Sequence, residues 1–600
     1  MEFTLGELQV SSWESDLCGW NLKSKIMKSK ILAIIGGFVF TVITTGCTDL
    51  SETVYSDVMS DNYYNTKTDV IRAALRPFEH AYWSIQSNIP LNELTADQIM
   101  TCTRDGWWDD AGQWRALQYH ELTPESKYLD MEWDGCYTGI MQSNYIIDDL
   151  SRLDPADFGF SEQEFSNLKA QNRALRAWLY LRLLDKFRNV PLYTSSDPKS
   201  GSGEQVSSQK LFTFIEDELK EILHLINAKS GLGGNGNEQG QWTQAGVAAL
   251  LVRLYLNAEV YIGEARWTEC ITYAQKIVDG EYGPYQVADR WDEVFDWNND
   301  ISDEVLFAFP SSQNYTFWLY KGDTFWWSVP QQMEYYVNDS KSEGGDHNCK
   351  YALTPSYDLN GKLYSYTLGN TAQKFRNYPE DVRLKLYKNL GNNKREGLFL
   401  FGSIPVVKDG VRGNMTSPDG SYELYIRDAV GQFKGLRPNQ WPINKTSNLR
   451  SGDHQSGWHY VKYPFYSDDE SGQMESDFVE IRLPEIIYAL AECRFRLGEL
   501  SKAGILLNSV RKRNYPQERW SDYLYVPEGG VALDEQELLD EWGREFLGEG
   551  RRRVDLIRFG KFNTGSWWDK TPDEDDHTKI FPIPRKSLDT NHNLKQNPGY

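Results

Sequence analysis

The residues best suited to ligand chemistry in this 600-residue chain are paired tryptophans, Trp107-Trp108 in RDGWWDDAGQW and Trp326-Trp327 in NYTFWLYKGDTFWW. A flat indole can bury the apolar C–H face of a sugar ring while amides, carboxylates and Arg bond to the hydroxyls at its rim. The chain carries 21 Trp, 35 Tyr and 26 Phe, more rigid ring than helix packing calls for, since every buried Trp brings an N–H that needs a partner. The platform is expected where the two clusters meet, with Trp107, Trp108, Trp318, Tyr320, Trp326 and Trp327 as its rings. Arg104, Asp105 and Asp323, beside those rings, are the candidate hydroxyl contacts. Adjacent side chains rarely point the same way, so one ring of each pair is expected to be buried.

Other chemistry-bearing patterns are weaker. GLGGNG matches GxGxxG at Gly231, Gly233 and Gly236, but it follows a helical pattern and precedes a polar loop, where a dinucleotide fold needs a strand and then a helix. Asp296, Asn298 and Asp300 imitate the start of a calcium loop, yet the sixth position is Ile301 and the twelfth Phe307, which rules out an EF-hand and leaves room only for an irregular structural calcium site. Asp109-Asp110 and DEDD (573 to 576) could pair carboxylates for glycoside hydrolysis, but acidic runs in such a chain are usually solvated surface. The Arg551–Arg553 run sits at helical spacing from Glu545 and Glu549, which reads as local ion pairing. No GxSxG, HExxH or GxxxxGK[ST] occurs. The reading is binding without catalysis and without a cofactor.

Lys+Arg 63 against Asp+Glu 86 gives a net charge of −23, so nucleic acid is repelled. At the N-terminus, Lys28 and Lys30 precede an apolar run from Ile31 to Val42, then Thr44-Thr45-Gly46 and Cys47, the charged, apolar, small order of an export signal. The run is too short for a membrane span. Residues 1–26 carry acids and no signal character, so Met27 is expected to be the true start. With Cys18 and Cys47 set aside, Cys102, Cys136, Cys270, Cys349 and Cys493 form an odd, scattered set that is no disulfide framework and no zinc site; they read as small buried residues.

The elements that must position the aromatics are mainly helical. AQNRALRAWLYLRLLDKFRNVPLY places Leu175, Leu179, Leu183 and Phe187 at four-residue steps before Pro191, and further helical patterns lie near 67–85, 132–151, 209–227, 244–261 and 267–279. Their succession suggests stacked helical hairpins of tetratricopeptide type. From 286 to 475 Trp, Tyr, Gly, Asn and Asp interleave in short runs, an irregular lobe of loops and short strands. Helices return over 476–562, with Gly498 separating two of them, and an extended tail closes the chain over 563–600. The scaffold is thus 60–285 with 476–562.

The C-terminal residues carry a resemblance. Arg482, Glu485, Ala491, Glu492, Asn508, Val510, Arg511 and Arg513 fit an R-x-x-E…AE…N-x-V-R-x-R pattern. Glu545, Glu549, Gly550, Arg552, Asp555, Leu556, Arg558 and Gly560 fit E-L-x-x-E-G-x-R-x-x-D-L-x-R-x-G, and Pro582-Ile583-Pro584 with Asn593, Leu594 and Gln596–Tyr600 fit the closing PIP…N-x-L-x-Q-N-P-G-Y. With a lipobox-like Cys47, where Thr44 stands in place of the usual Leu, the chain resembles the SusD/RagB family of outer-membrane nutrient-binding lipoproteins. Trp542 departs from the family's usual Arg. The resemblance implies a SusD-like domain over 47–600 after a lipoprotein signal at 1–46, a lipid on Cys47, a cell-surface location, and delivery of oligosaccharide to a SusC-like TonB-dependent barrel without chemistry. A peptide-binding member of the family and a ligand-free tetratricopeptide assembly scaffold are the alternatives; the tryptophan pairs favour sugar.

Overall fold

The computed structural model describes residues 63–197, 203–233, 240–311, 328–330, 350–390, 394–408, 410–443, 445–464 and 476–600. Cys47 and the second aromatic cluster, Trp318, Tyr320, Asp323, Trp326 and Trp327, lie outside these residues.

The helices run in chain order as α1 Lys67–Trp83, α2 Ile85–Glu93, α3 Gln113–Tyr119, α4 Lys127–Leu150, α5 Glu162–Phe187, α6 Ser208–Ile222, α7 Gln244–Leu256, α8 Ala258–Ile262, α9 Trp267–Val278, α10 Thr371–Arg376, α11 Leu483–Arg496, α12 Leu500–Arg511, α13 Trp520–Tyr523, α14 Glu535–Glu545, α15 Arg552–Arg558 and α16 Arg585–Thr590. Local signals start the long ones. Thr66 with Asp69 and Ser161 with Glu164 form capping boxes at α1 and α5, each satisfying orphan N–H groups of a first turn. The four-residue stripe read from sequence is the buried face of α5, where Leu175, Leu179, Leu183 and Phe187 are wholly enclosed. Gly139 lets α4 approach that face, because a Cβ there would meet Leu179 Cδ1 at 2.7 Å.

Helices pack as successive neighbours, α4 on α5, α5 on α6, α7 on α9, α9 on α11 and α11 on α12. The irregular lobe is held by short antiparallel pairs. Ile99–Met100 pairs with Ala352–Leu353, and Phe399–Leu400 with His459–Tyr460. Val305–Phe309 pairs with Phe478–Arg482, which runs straight into α11 and ties lobe to scaffold.

Three expectations need correction. The Arg551–Arg553 run does not pair with Glu545 and Glu549 along one helix: Gly548 and Gly550, each at φ +74°, break the chain between α14 and α15. Arg551 pairs instead with Glu485 at 3.1 Å, Arg552 with Asp97 at 2.6 Å and Arg553 with Asp185 at 2.8 Å. Glu545 is free to meet Arg482 at 2.7 Å and Arg513 at 2.6 Å in the interior. Of the DEDD run, Asp575 and Asp576 are solvated, but Asp573 turns inward to His120 at 2.8 Å and to Lys570. The tail is not extended throughout, since the short helix α16 starts directly after Pro584.

Trp542, the departure from the family pattern, is wholly buried, donates through Nε1 to Glu492 at 2.9 Å and takes the Arg551 guanidinium on its face at 4.2 Å. Its indole N–H thus keeps a donor where the pattern has a guanidinium.

Candidate functional site

The first tryptophan cluster sits on the loop between strand Ile99–Met100 and α3. Arg104 and Trp107 exchange both backbone hydrogen bonds, at 2.9 and 2.8 Å, around Asp105 (φ +49°) and Gly106 (φ +87°). Positive φ at both central residues is the geometry an Asp-Gly turn accommodates. Strain continues beyond it: Trp108, Asp110 and Ala111 have φ of +65°, +42° and +52°. Non-glycine residues held there cost about 1–3 kcal/mol each, and such clusters concentrate at ligand sites.

The surrounding contacts over-determine this loop. Arg104 is fully buried and donates to the carbonyls of Asp453, at 3.2 Å, and Ser456. The Asp105 N–H donates to the Gly452 carbonyl at 3.2 Å. Asp453 is itself buried and accepts from the backbone N–H groups of Phe433, Lys434 and Gln455. Arg104, expected to meet ligand hydroxyls, therefore positions the loop from beneath. Asp105 is exposed and its carboxylate accepts the Tyr422 hydroxyl at 2.7 Å.

Trp107 is 44% exposed. Its ring meets those of Trp108 and His454 edge-on, with centroids 6.0 and 5.9 Å away, so its position is fixed from two sides. Trp108 is half-buried rather than enclosed, under the Lys350 ammonium at 4.9 Å. Burial, followed by the nearby Arg104 charge, holds His454 down at about 4, so its imidazole is neutral at physiological pH. Lys434 lies 5.1 Å over the Tyr422 ring and donates to Ser421 Oγ at 3.1 Å. Asp419, held well below the usual carboxylate range first by the Ser417 hydroxyl, also binds Ser421. An exposed ring thus stands two residues from Asp105, whose carboxylate holds the Tyr422 hydroxyl, and Lys434 and Asp419 converge in turn on Tyr422 and Ser421.

Sequence reasoning found the ring and Asp105 but missed Tyr422, Lys434, Asp419 and His454. The signal for Tyr422 was the aromatic run GSYELYI; the other three sit in polar turns with no periodicity to mark them. Asp296 is buried while Asn298 and Asp300 are exposed, and among the described residues no group of three or more His, Cys, Asp or Glu side chains stands together as a metal site.

A stacked helical body bearing an irregular lobe with an exposed ring on a strained loop is the architecture of a ligand-binding protein. The chain belongs to the SusD/RagB family. A profile described as the SusD family matches residues 330–600, and one described as "Starch-binding associating with outer membrane" matches residues 55–256. The starch-binding protein SusD of Bacteroides thetaiotaomicron is 26% identical over 533 residues, 85% of this chain and 84% of that protein. Among solved structures, B. fragilis NanU superposes with a TM-score of 0.63 at 18% identity, covering 91% of this chain and 99% of that one. A SusD homolog from Bacteroides thetaiotaomicron gives 0.63 at 16% identity, covering 90% and 98%. These likenesses show the SusD-like, mainly helical fold.

Proposed function

We propose that the protein captures oligosaccharides at the outer face of the outer membrane, held there by a lipid on Cys47, and passes them to a SusC-like TonB-dependent barrel. The observation that carries this reading is the exposed Trp107 ring, fixed on a strained loop whose Asp105 carboxylate is held by the Tyr422 hydroxyl. The name of the starch-binding relative and the outer-membrane description of the matching profile support it. Trp107, Trp108 and Asp105 make the described part of the site; Trp318, Tyr320, Asp323, Trp326 and Trp327 are proposed to complete it. The protein performs no chemistry on the glycan.

A neutral stacked sugar binds with Kd on the order of 1 μM to 1 mM. Purified protein run through gels containing candidate polysaccharides should be retarded by at least one, and Trp107→Ala should abolish that retardation with the melting temperature unchanged. Retention by peptides alone would overturn the glycan reading. Cys47→Ala should release a folded chain from the membrane fraction.

A further inference from the structure

Cys270 on α9 and Cys493 on α11 lie on two helices that pack against each other in the interior. The register is set nearer the rim, where the Arg496 guanidinium lies 5.8 Å from the centre of the Trp267 ring. Trp267 precedes Cys270 by three residues and Arg496 follows Cys493 by three, close to one turn on each helix, so the same register brings the two thiols together. The same spacing would set Ala274 opposite Ala489 and Ile277 opposite Ile486; all four are buried, and alanines at that level leave room for close approach. Both thiols are fully enclosed. The Cys270 thiol donates to the Val252 carbonyl at 3.7 Å, and the neighbouring Cys493 thiol, ahead of burial, pushes it well above its usual range. Cys136 lies beside Glu132 instead, and Cys102 beneath Gly452.

We propose that the exported chain carries a Cys270–Cys493 disulfide that fastens α9 to α11. The proposal rests on the export reading, because disulfides persist outside the reducing cytoplasm. One thiolate attacks the disulfide of a thiol-oxidising protein or of oxidised glutathione, and one sulfur of that oxidant leaves as a thiol. The second cysteine then displaces the other sulfur from the mixed disulfide. Two thiols are oxidised, one external disulfide is reduced to two thiols, and the two protons pass to them. Because both sulfurs are enclosed in the folded protein, the exchange takes place before α9 and α11 close, and reductant does not reach the bond afterwards. The bond closes a long loop, where cross-linking constrains the unfolded chain most.

The full chain, unfolded and refolded in a reduced/oxidised glutathione buffer, would be alkylated with N-ethylmaleimide under denaturing conditions and its peptides mapped without reductant. Chain isolated from outer membranes of alkylated cells would be treated identically. The expected result in both samples is a linked Cys270–Cys493 peptide, with Cys102 and Cys136 alkylated. The oxidised chain should melt roughly 5 °C or more above the reduced one. In Cys493→Ser, Cys270 should become alkylatable and the redox dependence of melting should vanish. Both thiols alkylated in both samples would overturn the proposal. A linked peptide after refolding, in a chain absent from the membrane fraction, would uphold the pairing and overturn the export reading instead.

Discussion

The Tyr422 hydroxyl donates to the Asp105 carboxylate at 2.7 Å, joining residues 317 positions apart. This bond fastens the strained turn under Trp107 to the irregular lobe, so the two residues should act on ligand binding as a unit. Tyr422→Phe and Asp105→Asn should each weaken polysaccharide affinity about tenfold, near the 1.4 kcal/mol of one hydrogen bond with an ionised group. The double variant should lose little more than either single one. Calorimetric titration of all four proteins checks this, and strictly additive losses would show that the bond does not couple turn to lobe.

A second relationship governs stability. Glu93 is buried, accepts from the N–H groups of Gly550 and Arg551 at 2.7 and 3.0 Å, and leaves Oε2 without a partner. Burial pushes its carboxyl up to about 7. An acid whose folded value is raised stabilises the fold fully below its unfolded value near 4.5 and loses that stabilisation as pH climbs through 7, here about 3 kcal/mol in all. Glu93→Gln removes the titration. Its melting temperature relative to wild type should therefore rise between pH 4.5 and about 7 and level off above, and a constant difference would contradict the assignment.

The C-terminal tail should be a clamp rather than an appendage. The Phe581 N–H donates to the Lys186 carbonyl at 2.8 Å, and Asn597 Nδ2 reaches the carbonyls of Phe187 at 3.1 Å and Phe581 at 2.7 Å, closing the end of α5. Phe581 and Ile583 are buried against the body. Asn597→Ala leaves two buried carbonyls short of a donor and should cost about 1–3 kcal/mol in urea unfolding. Deleting residues 581–600 should lower the melting temperature by several degrees, and an unchanged curve would show that the tail adds nothing.

Much of the scaffold was legible because its signals are local. The four-residue stripe of α5 and Gly498 between α11 and α12 each need only one turn of neighbours. The ion pairs were not, because the glycines at 548 and 550 turn the chain and send Arg552 to Asp97 and Arg553 to Asp185, far away in sequence. The same division holds at the site. RDGWW marked candidate rings beside Asp105, whereas Tyr422, Lys434 and His454 join that region only through folding of the lobe. Trp108 illustrates the limit of alternation as a guide: at φ +65° the backbone does not follow a strand, so neighbouring indoles need not take opposite sides.

His454 sets the pH range over which the platform should work. It is buried edge-on to Trp107, and burial together with the Arg104 charge lowers its value to about 4. A histidine depressed in this way stabilises the folded site above its unfolded value near 6.5 and loses that contribution as pH falls through 4. Asp105 and Asp419 oppose the shift, while Arg104 reinforces it. From pH 6.5 to 8 the imidazole is neutral in the folded site, and retention on a polysaccharide gel should be constant. Below about pH 4.5 a charged imidazolium must enter a largely desolvated position beside Arg104, and retention should fall. Retention measured at half-unit intervals from pH 4 to 8, with circular dichroism at each point to separate site loss from unfolding, tests this. In His454→Phe, which keeps an aromatic edge against Trp107 without a titrating nitrogen, the acid fall should be reduced. A variant that loses retention at the same pH as wild type, with both still folded, would show that another group controls the site.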